Sequence, residues 1–180
     1  MKRFRIFPEE TTLYYSTCTL VNWLPVFQSD MYFQTIIDSL KFCKLNKGLY
    51  LLAYVIMPTH LHLVTANSEQ TTLSEIMRDF RQFTAKQIRK LLEMEGRMVF
   101  LNLFAKAAQN LKKQEYKIWA DDFHPVALKS DRWIGQKINY IHNNPVRKGF
   151  VELPEHWKYS SARNWILGDD RIIEIDRNAL

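Results

Sequence analysis

The stretch LYLLAYVIMPTHLHLVTA, Leu49 to Ala66, decides the fold. Leu49 to Met57 is an unbroken apolar and aromatic run, and Leu61 to Ala66 is alternating and β-branched, so both read as strands. Pro58-Thr59 leaves room between them only for a tight connection, which makes them neighbours in the middle of a sheet. Upstream, Thr12 to Val21 (TLYYSTCTLV) has no helical stripe and reads as a first strand. Between the two lies a helix capped by Ser29 or Asp30, with Phe33, Ile36, Ile37, Leu40 and Cys43 at helical spacing, closed by Lys47-Gly48.

Downstream, Thr72 or Ser74 caps a second helix whose apolar face (Leu73, Ile76, Met77, Phe80, Phe83, Ile88, Leu91, Leu92) runs to about Glu95. The order of Val99 to Gln114 is helical but weakly defined. Tyr116 to Leu128 reads as two short extended pieces bent at Ala120 to Asp122, and Pro125 assigns the second to a sheet edge. A third helix starts at Asp131 and is expected to end near Asn143, because Pro145 disfavours helical geometry at Asn144. Val151 to Leu180 is a tail with a strand-like RIIEI at Arg171 to Ile175. The order β, α, β, β, α, β, β, α predicts one α+β domain over 1–180, with its core at about 12–150. The expected architecture is two-layer and ferredoxin-like or RRM-like, an antiparallel sheet with helices on one face.

Composition narrows the function. With 180 residues, 47% hydrophobic and 24% charged, the chain can bury a core and is neither fibrous nor disordered. The 25 Lys and Arg against 19 Asp and Glu give a net charge of +6, and aromatics reach 13%. Basic charge with surplus rings suits single-stranded nucleic acid, though solubility and core packing explain the same numbers separately. Two cysteines, Cys18 and Cys43, exclude a disulfide framework and a CxxC zinc site, and no apolar run could span a membrane, so a cytoplasmic setting is expected. Five glycines leave no Gly-rich nucleotide cradle, and no P-loop or Ser-His-Asp set is visible.

His60-Leu61-His62 carries the chemistry. On a strand both imidazoles leave the same face, pre-aimed as two nitrogen ligands. A His-x-His pair is by itself more often an ordinary half-buried strand feature. On the helix from Asp131, Trp133, Lys137, Tyr140 and Asn144 are spaced by four, three and four and share one face, beside the apolar stripe Ile134, Ile138 and Ile141. A tyrosine there is a snorkelling boundary residue or, next to a metal, a nucleophile. Asn144 offers a carbonyl oxygen as a possible third ligand. His142 projects from another side of that helix. His124, Asp121 and Asp122 read first as structural or turn residues. Arg78, Arg81 and Lys86 on the second helix, with Lys137, Arg147 and Lys148, are the candidate phosphate contacts. Trp157, Tyr159 and Trp165 either stack on bases or dock the tail.

YVIMPTHLHLV, Tyr54 to Val64, and YIHNNPVRKGFV, Tyr140 to Val151, resemble the two signature regions of the single-tyrosine HUH transposases, nearest the REP-associated tyrosine transposases (RAYTs). IWADDFHPVAL, Ile118 to Leu128, has the same look, and the resemblance covers roughly Thr12 to Trp165. The resemblance implies His60, His62 and Asn144 as ligands of a divalent metal ion (Mg²⁺ or Mn²⁺) and Tyr140 as nucleophile. Asn144 stands where related insertion-sequence transposases carry Gln, as it does in the REP-associated subgroup. The implied activity is nicking and strand transfer of single-stranded DNA with hairpins through a 5′-phosphotyrosine intermediate, by a monomer or homodimer. The competing expectations are a transposase-derived protein that binds single-stranded nucleic acid without cutting it, and packing roles for the histidines and tyrosine. A metal effect on melting separates the last from the others.

Overall fold

The computed structural model describes residues 12–69, 71–111 and 114–177. Its elements are β1 (Leu13–Thr19), α1 (Asp30–Asn46), β2 (Leu49–Met57), β3 (His60–Asn67), α2 (Leu73–Met94), α3 (Met98–Ala108), β4 (Val126–Leu128), α4 (Asp131–Arg147) and α5 (Ala162–Leu167). The four strands form one antiparallel sheet in the order β2-β3-β1-β4, the α+β arrangement expected. Pro58-Thr59 is the tight turn between β2 and β3, and β4 takes the edge, as Pro125 requires. Thr72 caps α2 in a capping box, its hydroxyl accepting from the Glu75 backbone N–H while the Glu75 carboxylate accepts from the Thr72 N–H.

Two apolar cores lie on opposite faces of the sheet. On one, Cys18, Leu51, Tyr54, Ile56, Leu61 and Leu63 meet Ile36, Ile37 and Leu40 of α1 and Ile76, Met77 and Phe80 of α2. On the other, Leu52, Val55, Met57 and Val64 meet Ile134, Ile138 and Ile141 of α4. The expectation of helices on one face therefore holds for α1 and α2 and fails for α4. The cause is legible in β2, which is apolar at successive positions and so offers a hydrophobic surface on each side. A register irregularity between Leu51 and Ala53 adjusts the alternation midway along the strand.

Helix α4 also runs further than Pro145 predicts, to Arg147. Pro145 sits in the last turn, where the lost N–H removes one bond to Ile141, and Asn144 and Pro145 are both buried. Packing outweighs the local preference. The helix closes with Lys148 N–H donating to Asn144 O, 3.1 Å, and Gly149 leaving at φ +71°, a conformation that favours glycine. Arg171 to Ile175 is likewise not a strand: Ile173 and Ile175 instead insert into the α1/α2 core. The weakly defined stretch after Val99 is α3, and the first extended piece of 116–128 reduces to a bridge between Trp119 and Leu20.

The tail covers the outer edge of β2. Ile56 N–H donates to Tyr159 O and Ser161 N–H to Tyr54 O, both 2.9 Å, while Trp157 and Trp165 donate their indole N–H groups to Ile56 O and Leu52 O, both 3.0 Å. Tyr159 stacks on Phe33 with centroids 4.2 Å apart. These rings dock the tail, which is the structural half of the alternative left open by the sequence. Cys18 and Cys43 are buried free thiols.

Candidate active site

The α4 face of the sheet changes character along β3. Val64 and Ala66 belong to the apolar core, whereas His60 and His62 occupy the same face nearer the turn. Both histidines are 5% exposed, and their ring centroids are 4.7 Å apart. Each ring is held by its Nδ1. Thr17 Oγ1 and Tyr15 Oη lie 2.8 and 2.9 Å from Nδ1 of His62, and Thr59 Oγ1 lies 2.8 Å from Nδ1 of His60. Among the described residues neither Nε2 has a hydrogen-bond partner, so the arrangement leaves that nitrogen of each ring for a ligand.

Burial keeps both rings neutral. It lowers His60 to about 4, helped by the charge of Lys148, and His62 to about 3, helped by His60 and Lys137. A neutral imidazole is the form that binds a metal ion.

Helix α4 brings the remaining residues. Ser130 caps it by accepting from the Trp133 N–H, and the apolar stripe fixes its rotation, turning Lys137 and Tyr140 towards the histidines, with Asn144 four residues on from Tyr140. The Tyr140 ring lies 5.4 Å from that of His62 and 6.3 Å from that of Tyr15. Lys137 Nζ is 4.4 Å from the Tyr15 ring and 5.8 Å from the Tyr140 ring, and the Arg147 guanidinium is 5.3 Å from Tyr140. Since Lys137 acts on His62 and Lys148 on His60, Asn144 lies on the helix between two cations that flank the histidine pair. It is 5% exposed, and its Oδ1 is buried without a hydrogen-bond partner among the described residues. A buried acceptor so placed needs a donor or a cation.

The donor set fits a divalent metal ion: two neutral nitrogens with oriented rings and one unpaired carbonyl oxygen. Among the described residues no group of three or more His, Cys, Asp and Glu could hold one, so a third donor to an ion on His60 and His62 would have to be of another type, such as an amide oxygen. Asp122 raises His60 by its charge without entering such a group. His142 points away, its Nε2 2.9 Å from Ser161 Oγ in the tail, and His124 is exposed.

The structure separates the candidate phosphate contacts. Lys137, Arg147 and Lys148 surround Tyr140 and the histidines, but α2 packs on the opposite face of the sheet and carries Arg78, Arg81 and Lys86 away from the site. Those three line a groove of about 540 Å³ with Tyr116 and Phe123. Arg81 is partly structural, donating to Ala120 O, and Arg78 pairs with Asp79 at 3.0 Å.

Sequence reasoning missed Tyr15, Thr17, Thr59 and Trp23. Thr17 stands directly across the β1–β3 ladder from His62, and Tyr15 is two residues away on the same strand, so the antiparallel register would have exposed both. Trp23, whose ring lies 5.1 Å from that of His60, follows a turn that no sequence pattern announces.

Comparison with known proteins bears on this arrangement. A Haemophilus influenzae protein provisionally named a REP-associated tyrosine transposase is 30% identical over 109 residues, 61% of this chain and 56% of that protein. This chain is similar to the REP-associated tyrosine transposases. The alignment thus spans little more than half the length of that relative. A solved REP-associated tyrosine transposase bound to a REP hairpin superposes with a TM-score of 0.60 at 19% identity, covering 100% of this chain and 94% of that one, so the RAYT fold is shared. A Deinococcus radiodurans crystal structure provisionally called a transposase aligns at TM-score 0.46 and 17% identity over 79% of this RAYT-like chain and 97% of its own. No family model matches the chain.

Proposed function

We propose that this chain nicks and rejoins single-stranded DNA through a covalent phosphotyrosine at Tyr140, acting on strands that carry hairpins. The observation that carries the reading is the Tyr140 ring 5.4 Å from that of His62, one of a pair of buried neutral imidazoles, on the helix that also carries Asn144 one turn further on. Two tyrosines adjoin the histidines, and they differ. Tyr15 is tied to His62 Nδ1 and burial raises its phenol, whereas the Tyr140 hydroxyl has no hydrogen-bond partner among the described residues. Tyr15 orients; Tyr140 is available to attack.

Tyr140 Oη would attack the scissile phosphorus in line with the leaving 3′-oxygen. One P–O bond forms, one breaks, the phenolic proton is released, and the 3′-oxygen leaves as a hydroxyl after taking up a proton. The bond energy stays in the 5′-phosphotyrosine, so a different 3′-hydroxyl can reverse the step and join a new strand without an external energy source. Lys137 and Arg147, both near the Tyr140 ring, would offset the negative charge gathering on the phosphate. His60, His62 and Asn144 would hold a divalent ion such as Mg²⁺ or Mn²⁺, which supplies Lewis acidity at the phosphate when bound. A hairpin as partner is supported by the solved structure of similar fold, which is bound to one.

The test is incubation of 5′- and 3′-labelled single-stranded hairpin DNA with the protein and Mn²⁺. A covalent adduct on the downstream fragment is expected from the wild type and none from Tyr140→Phe. Hairpin binding with no adduct under any metal would leave a binding protein instead, and an adduct from Tyr140→Phe would remove Tyr140 from its role.

A further inference from the structure

The turn after β1 is strained and ends in an exposed aromatic beside the site. Asn22 and Trp23 adopt φ of +55° and +54° in succession, although neither is glycine. Side chains with a Cβ enter this left-handed region at a cost, and a pair of them persists only where surrounding structure imposes it. The imposing contacts are present. Leu20 N–H donates to Thr59 O and Phe27 N–H to Pro58 O, 2.9 and 3.1 Å, so both flanks of the turn are fastened to the β2–β3 turn that delivers His60. Val21 N–H donates to Ile118 O at 2.9 Å, and Leu20 and Val21 are buried at 0% and 7% exposure. The strained turn is thus built as part of the histidine platform.

What it presents is Trp23. The indole is 58% exposed, its ring 5.1 Å from His60 at an interplanar angle of 68°. An apolar ring of this size gains nothing from solvent. A flat, exposed, backbone-fixed ring at the mouth of a basic site is the kind of surface on which a nucleobase stacks. We propose that Trp23 is a stacking platform for a base of single-stranded DNA, positioning the nucleotide next to the phosphate at His60. The ligand class is a nucleobase, read by its π-face and therefore without strong sequence preference. The proposal rests on the reading that this site takes single-stranded DNA, and adds the residue that grips the base, where Lys137, Arg147 and Lys148 address the phosphate.

The experiment compares a dT12 oligomer with a twelve-residue abasic oligomer of the same phosphates, bound in EDTA so that no strand is cut. Trp23→Ala should weaken dT12 binding about tenfold, the usual loss for one aromatic–base stack. Its affinity for the abasic oligomer should not change, and Trp23→Phe should restore most of the dT12 affinity. Equal losses on both oligomers, or no loss on dT12, would overturn the proposal. Failure of the nicking reading shows separately: no covalent adduct from the wild type, with base-dependent binding at Trp23 intact, retires the chemistry and leaves the platform. A wild type that binds neither oligomer overturns both.

Discussion

Thr17 Oγ1 lies 2.8 Å from Nδ1 of His62, and the two residues are directly paired across the β1–β3 ladder. A strand neighbour rather than a loop sets the imidazole, so the orientation of Nε2 is fixed by backbone register. Groups that hold the outer nitrogen of a ligating histidine typically contribute ten- to hundredfold in metal affinity, roughly. Thr17→Val preserves shape and β-propensity while removing the hydroxyl. Mn²⁺ binding by calorimetric titration should weaken about tenfold, with the metal-free melting temperature little changed, because Tyr15 still holds the ring. Unaltered Mn²⁺ affinity would show that Thr17 does not position His62.

Asn144 separates stability from function. Its buried Oδ1 has no partner, a condition that costs about 1 to 3 kcal/mol. Asn144→Leu, similar in volume, should therefore raise the melting temperature of the metal-free protein while abolishing the extra stabilisation expected of the wild type on adding Mn²⁺. His60→Ala should abolish the Mn²⁺ effect as well, without the gain. If Asn144→Leu still melts higher on adding Mn²⁺, Asn144 is not a ligand.

The sheet and the helix that follows it are readable because their signals are local: alternation in Leu61 to Ala66, the Pro58-Thr59 turn, the cap at Thr72. The common face of Lys137, Tyr140 and Asn144 followed from helical spacing alone. What escaped depends on pairing or packing. Apolar residues at successive positions of β2 do not say which helix covers which side, so the expectation of helices on one face misplaces α4. The Pro145 rule was outweighed by burial of the final turn. Thr17 and Tyr15 become visible only when β1 is laid against β3, and the cations of α2 were separated from the site by the thickness of the sheet, which no linear pattern records.

His142 predicts the acid limb of the stability curve. Burial lowers it to about 4 in the folded protein, against an ordinary value of about 6.5 when unfolded. The unfolded chain thus binds more protons between these values, so stability is level above pH 7 and falls as pH drops from about 6.5 towards 4. His60 and His62 shift in the same direction for the same reason. His142→Gln, able to keep a hydrogen bond to Ser161, should flatten that slope by on the order of 2 kcal/mol between pH 6.5 and 4. Urea denaturation at several pH values measures it, and an unchanged slope would show that His142 titrates normally.

Asp176 guards the edge of β2. Its backbone N–H donates to Leu51 O at 2.8 Å, its carboxylate accepts from the Leu51 N–H at 2.7 Å, and the same carboxylate pairs with Lys44. An outer strand as apolar as β2 would otherwise present unpaired backbone groups to other molecules. Asp176→Ala removes the acceptor for Leu51 and the Lys44 pairing while leaving Ile173 and Ile175 able to insert, so it should cost about 2 kcal/mol. Because the strand beneath is then less well covered, the variant should also aggregate at a lower temperature and more strongly at higher protein concentration, whereas Glu174→Ala, at an exposed neighbouring position, should do neither. Light scattering during a thermal ramp distinguishes the two, and equal behaviour of both variants would mean that the tail does not protect this edge.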